Sequence, residues 1–207
     1  MPESWLIAGL GNPGPEYEQT PHNVGFMVID RLAEANQVRV NRPEANAVVG
    51  FGRFGSSPVL LAKPLMFMNL SGPSIKALLA EHEIAPERLI VVCDELNLPW
   101  TAVRIRPKGS AGGHNGMDSV IRSIGTNEFP RVRLGIDTGR TDRNGANFVL
   151  SPFRKAQLKE LDEVLDYCSR AVESIVAEGV EKAMTRFNRR SAQQPEPPAP
   201  PLAAPKA

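Results

Sequence analysis

Close to its start the chain passes from a short apolar run straight into glycine and proline, "WLIAGLGNPGPEY", Trp5 to Tyr17. An apolar run ended by glycine is the pattern of a buried strand. Gly9 to Gly14 also spell G-x-G-x-x-G, the fingerprint of a dinucleotide-binding turn. That turn works only when a helix begins within the glycines and aims its first N–H groups at a pyrophosphate. Pro13 and Pro15 stand where the helix would run, and a proline disfavours helix in the residue before it. The acidic residue that should end a second strand about 20 residues on has no counterpart, because Asp30 lies inside a helical pattern. The glycines are therefore expected to bend the backbone sharply and to present Asn12 at the C-terminal edge of a sheet. Open α/β sheets place their ligands there.

Strand and helix patterns alternate along the rest of the chain. "NVGFMVIDRLAEAN" (23–36) places Val24, Met27, Val28, Leu32 and Ala35 on one helical face. "AVVGFGRF" and "VLLAKP" read as two strands separated by "GSSP", and Ser71 is expected to cap a helix that turns Ile75, Leu78 and Leu79 inward. "RLIVVCDE" (88–95) is the continuous β-branched run of a central strand covered on both faces. "AVRIRP" and "RVRLGID" read as strands flanking a short helix, "NGMDSVIRSIG", closed by Gly125. Leu158, Leu161, Leu165, Cys168, Val172 and Ile175 form the apolar stripe of a long helix. The alternation predicts one α/β domain over residues 1–190, with helices on both faces of a mixed sheet. Residues 191–207, with "QQPEPPAPPLAAPKA" from Gln193, are expected to be a disordered Pro/Ala-rich tail.

No stretch approaches the length of a membrane span, and "MPESW" lacks the basic and apolar regions of a secretory signal. Cys93 and Cys168 have no metal-ligand spacing and suit a reducing cytosol. A net charge of +1 means that any nucleic-acid partner must be met by a local patch.

His22, Asp94 and three asparagines are the residues best suited to chemistry. "TPHNVGF" puts His22 at a helix start, where the helix dipole favours the neutral imidazole; capping or packing is its alternative role. His82 reads as solvated surface. Asp94 and Glu95 end the central strand; a carboxylate there either marks the strand's exit or orients an imidazole and stabilises its protonated form. No G-x-S-x-G elbow and no H-E-x-x-H are present. Base-plus-carboxylate chemistry then means attack by an activated water. Asn12, Asn69 and Asn115 occupy loops, as turn residues or as amides able to pair a peptide unit or an oxyanion. Arg104, Arg106 and Lys108, then Arg131 and Arg133, are either solvated strand faces or phosphate contacts beside a helix start.

Four stretches, "LIAGLGNPGPEYEQTPHNVGFMVID", "KPLMFMNLSG", "VVCDELNLP" and "GSAGGHNG", together resemble the bacterial peptidyl-tRNA hydrolase family, in order and approximate spacing, over residues 5 to about 188. The family cleaves the ester joining a peptide to the 3′ ribose of tRNA. The resemblance implies a monomeric, cytoplasmic enzyme with a three-layer α/β/α sandwich, a mixed twisted sheet and no metal or organic cofactor. It implies His22 as general base, Asp94 as its orienting carboxylate, and Asn12 in the discrimination of peptidyl from unblocked aminoacyl substrates. It places substrate contacts at Tyr17, Phe67, Met68, Asn69, Gly113 and Asn115, and tRNA phosphate contacts at Arg104, Arg106, Lys108 and Arg133. Some members carry lysine at the first two basic positions and a further histidine where this chain has Ala111. A non-catalytic RNA-binding relative, a chloroplast splicing factor, shares the scaffold, so an RNA-binding module is the competing expectation.

Overall fold

The computed structural model describes residues 4–139 and 145–188; the expected tail lies outside them. Among the described residues, seven strands form one sheet in the order β2-β3-β4-β1-β5-β7-β6. The four central strands, β4 (Ser57–Pro64), β1 (Trp5–Gly9), β5 (Leu89–Pro99) and β7 (Arg131–Asp137), are parallel. At one margin β3 (Ala47–Phe54) pairs antiparallel with β4 and β2 (Arg42–Glu44) antiparallel with β3, and at the other β6 (Val103–Arg106) pairs antiparallel with β7. The sheet is mixed, as the alternating pattern predicts.

Period-two alternation within β1 builds two cores. Trp5 and Ile7 join a cluster with α1 (Val24–Ala35), α5 (Lys155–Glu178) and α6 (Val180–Phe187), while Leu6 and Ala8 join one with α2 (Ser71–Glu81) and α3 (Asn115–Ile124). Helices thus cover both faces, giving three layers. A short α4 (Gly145–Val149) precedes α5.

The glycines of the opening run serve close packing. A Cβ on Gly9 would lie 2.1 Å from the carbonyl oxygen of Gly25, and one on Gly25 would lie 2.3 Å from the amide nitrogen of Leu10. Strand β1 and helix α1 therefore touch backbone to backbone. Gly11 lies under the Phe26 ring, and Gly14 adopts φ +121°, a conformation open to glycine. After Gly14 the chain makes 3-10 turns at Pro15–Tyr17 and Pro21–Asn23, and α1 starts only at Val24. No helix begins inside the glycine motif, as the two prolines predict.

Several local expectations are corrected. Ile29, not the exposed Ala35, completes the buried face of α1. Ser71 does not cap α2: a 3-10 turn, Met68–Leu70, leads into the helix, and the Ser71 hydroxyl donates to the Met68 carbonyl. The free N–H of Gly72 instead donates to the Ser119 hydroxyl of α3 at 3.0 Å. Leu158 is exposed on α5, where Gln157 and Leu161 take the buried face instead. His82 is not solvated surface; it contacts Glu44 and packs edge-on to Phe51. Strand β5 does not end at Glu95 but runs on to Pro99 with an irregularity.

At the β6 margin, Asn188 accepts from the Ile105 N–H at 2.6 Å and donates to its carbonyl at 3.3 Å, occupying the outer hydrogen-bonding edge of that strand.

Candidate active site

Parallel pairing sets Gly9 beside Val92, so β1 leaves the sheet two residues before Asp94. Asp94 therefore stands above the end of its neighbour, in the crevice where α1 and α2 depart to opposite faces. Open α/β sheets bind ligands at this position.

Two histidines meet on one oxygen of Asp94. His22 Nδ1 lies 2.9 Å and His114 Nε2 3.0 Å from Oδ1. The rings are 4.8 Å apart at 44°. His22 comes from the 3-10 turn before α1, and His114 is the N-cap of α3. The Met117 N–H donates to His114 Nδ1 at 3.1 Å, which leaves the ring proton on Nε2, donating to Asp94. With Nδ1–H of His22 donating to the same oxygen, Nε2 of His22 carries the free lone pair. Asp94 is 2% exposed. Burial pushes its pKa up, but electrostatic attraction and a hydrogen bond from the His114 ring, then a hydrogen bond and attraction from that of His22, outweigh burial and hold the carboxyl well below the ordinary carboxylate range.

His22, Asp94 and His114 also offer a two-histidine, one-carboxylate donor set within 4.8 Å. The His114 tautomer turns a proton rather than a lone pair toward Asp94, so the geometry is that of a hydrogen-bonded cluster.

Asn12 is fixed beside this cluster. Asn23 Oδ1 accepts from its amide N–H at 2.8 Å and Asn23 Nδ2 donates to its carbonyl at 3.0 Å, so one side chain replaces a strand neighbour. Asn12 Oδ1 accepts from the Met68 N–H at 2.8 Å, which orients the carboxamide and sets its N–H donors at the opposite end. Asn12, His22, Asn23, Asp94 and His114 are all buried.

The remaining expected residues divide by exposure. Met68 is buried in the core under α2 and α3, its sulfur against Gly116, and Phe67, 60% exposed, stands in the open with Leu65, Met66 and Leu70. Asn69, Gly113 and Asn115 are exposed, and Tyr17 is half-buried. Arg104 and Arg106 are exposed on β6, and Lys108 is exposed and paired with Glu128. Arg133 is different: it is buried, paired with Glu95, and donates to the Ser110 and Ala111 carbonyls. It is not part of an open basic surface. His114 and Asn23 belong to the cluster although sequence reasoning gave them no role. Their signal was adjacency, His114 inside "GGHNG" and Asn23 directly after His22.

A profile of the peptidyl-tRNA hydrolase family matches residues 6–195. The chain belongs to the peptidyl-tRNA hydrolase family. Membership makes it a hydrolase. The peptidyl-tRNA hydrolase of Solibacter usitatus is 54% identical over 187 residues, covering 90% of this chain and 95% of that protein. That of Bacillus subtilis is 42% identical over 185 residues, covering 89% and 98%. The crystal structure of peptidyl-tRNA hydrolase from Acinetobacter baumannii superposes with a TM-score of 0.84 at 32% identity, covering 92% and 97%. Among the described residues no helix is long and apolar enough to cross a membrane.

Proposed function

We propose that this protein hydrolyses the ester between a peptide, or an N-blocked aminoacyl group, and the 3′ ribose of tRNA, with His22 as the general base for water. The observation that carries the reading is the Asp94 carboxylate, buried and accepting from Nδ1 of His22 at 2.9 Å. An acceptor fixed on Nδ1 directs the lone pair of Nε2 outward, and a carboxylate held ionised stabilises the imidazolium formed when water gives up its proton. An ester is easier to cleave than an amide, so a base, a water and a polarised carbonyl suffice.

Asn12 serves as the amide donor. Its oxygen is taken by the Met68 N–H, so its N–H groups are left for the acyl carbonyl or the neighbouring peptide unit. Asn69 and Asn115, exposed nearby, suit recognition of main-chain amides, which a peptide of any sequence offers. The exposed Phe67 and the half-buried Tyr17 provide apolar and stacking surface for the terminal base or a side chain. Arg104, Arg106 and Lys108 are open to phosphates. The enzyme acts as a cytoplasmic monomer.

The test is release of tRNA from an N-acetylated aminoacyl-tRNA. Replacing His22 with Ala is expected to lower kcat by about 10²- to 10⁴-fold, the span of a lost general base. Turnover equal to the unaltered protein would remove His22 from the mechanism. An unaltered protein that binds the RNA but leaves it intact would favour the RNA-binding module.

A further inference from the structure

The loop from Gly109 to Gly113 delivers His114 and Asn115, yet it is glycine-rich and largely exposed. Gly109, Gly112 and Gly113 all have positive φ, at 154°, 63° and 83°. Such a segment has little shape of its own beyond one turn, the His114 N–H donating to the Ala111 carbonyl at 3.2 Å. It is further held by the Gly109 N–H, which donates to the Asn127 carbonyl at 3.4 Å, and by arginine side chains from beneath. Arg131, 1% exposed, lies inside the sheet under the loop. Its Nη1 donates to the Gly109 carbonyl, its Nη2 to the Asn127 carbonyl at 2.7 Å and to the Phe129 carbonyl at 3.1 Å. Its Nε also donates to Phe129, and the guanidinium carbon sits 4.2 Å from the centre of the Phe129 ring. Gly109 precedes α3, whereas Asn127 and Phe129 follow it. One planar fork thus ties both ends of the α3 segment, a task that the geometry of lysine does not fit.

We infer that Arg131 is a positioning residue: by joining the chain on either side of α3 it sets the height of His114 and Asn115 over Asp94. The assignment rests on the hydrolytic reading above. Arg131 touches neither substrate nor the reacting atoms. It acts through the 3.0 Å contact of His114 with Asp94, at the far end of the loop it anchors. A misplacement of about 1 Å at such a contact costs on the order of 10²-fold in rate.

Arg131→Lys keeps the charge and loses the fork. In the N-acetylated aminoacyl-tRNA assay it is expected to lower kcat by about 10- to 100-fold, while KM and its salt dependence stay within about twofold. Amide hydrogen exchange at residues 109–115 is expected to accelerate, with exchange in β1 and β5 unchanged. Unaltered kcat with unaltered exchange overturns the inference. So does a raised KM with a flatter salt dependence, which would make Arg131 a phosphate contact. Should the lysine variant not fold, native-state exchange on the unaltered protein decides. Residues 109–113 and 126–129 are then expected to open together with one free energy, and independent opening overturns the clamp. The exchange measurements need no activity, so an inert protein would refute the hydrolytic reading while leaving the clamp to its own test.

Discussion

Two helices bring a histidine to Asp94, and they are secured in opposite ways. On the His22 side, α1 lies against β1 with no side chain between them, Gly25 meeting Gly9 and Leu10 atom to atom. On the His114 side, α3 follows a glycine loop whose carbonyls are gripped by Arg131 and Arg133. Contact between backbones tolerates no added atom, so damage on the first side shows as lost stability. Hydrogen bonds to a loop fix its position and leave the core intact, so damage on the second side shows as lost rate.

Asp94, where the two sides meet, is expected to give the largest effect. Asp94→Asn should lower kcat by about 10²- to 10⁴-fold in the tRNA-release assay. Its pH behaviour has a definite sign. The folded carboxyl is held below its unfolded pKa, so its contribution to stability is full above about pH 4 and is lost as acid drives the pH down through the lowered pKa. In urea melts, the unaltered protein should lose more stability than Asp94→Asn as pH falls below about 4. A constant difference across that window would mean that Asp94 is not held ionised by its histidines.

Gly25→Ala comes next. Its new methyl would lie 2.3–2.5 Å from backbone atoms of Leu10 and Val92, none of which can rotate away. A loss of about 3 kcal/mol is expected, the upper range of overpacking, read as a lowered denaturation midpoint. A variant of unchanged stability would break the contrast between the two sides. The smallest effect is expected from His114→Ala: kcat lower by about 10- to 100-fold, the loss of one hydrogen bond to a charged acceptor, with stability lowered by only about 1 kcal/mol, the loss of the α3 N-cap. A large stability loss would show that the α3 side, too, is held by packing.

These contrasts mark what could be read from sequence. The alternation of strands and helices was legible, because period two and period 3.6 are local properties. The meeting of His22 and Asp94 was legible only jointly, from motif order and from the rule that ligands gather at the ends of parallel strands. The purpose of the glycines was not, since Gly9 and Gly25 answer to each other across the fold. The basic residues teach the same lesson. "VRIR" and "RVRL" look alike, yet Arg104 and Arg106 are exposed while Arg131 and Arg133 are buried. Spacing assigns a face; whether that face is covered depends on β6 being marginal and β7 lying between β5 and β6. His114 escaped notice because the Met117 N–H that fixes its tautomer and the carboxylate it serves come together only in the folded chain.

The pairing of Asn188 with Ile105 has a consequence for how molecules of this protein meet one another. A bare strand margin is a template for addition, and two such margins on separate molecules can zip together. Here a single carboxamide stands in for an eighth strand at the one outward-facing peptide unit between Arg104 and Arg106. Adding a strand here would first have to displace Asn188 from Ile105, which makes this margin a poorer template than a bare one.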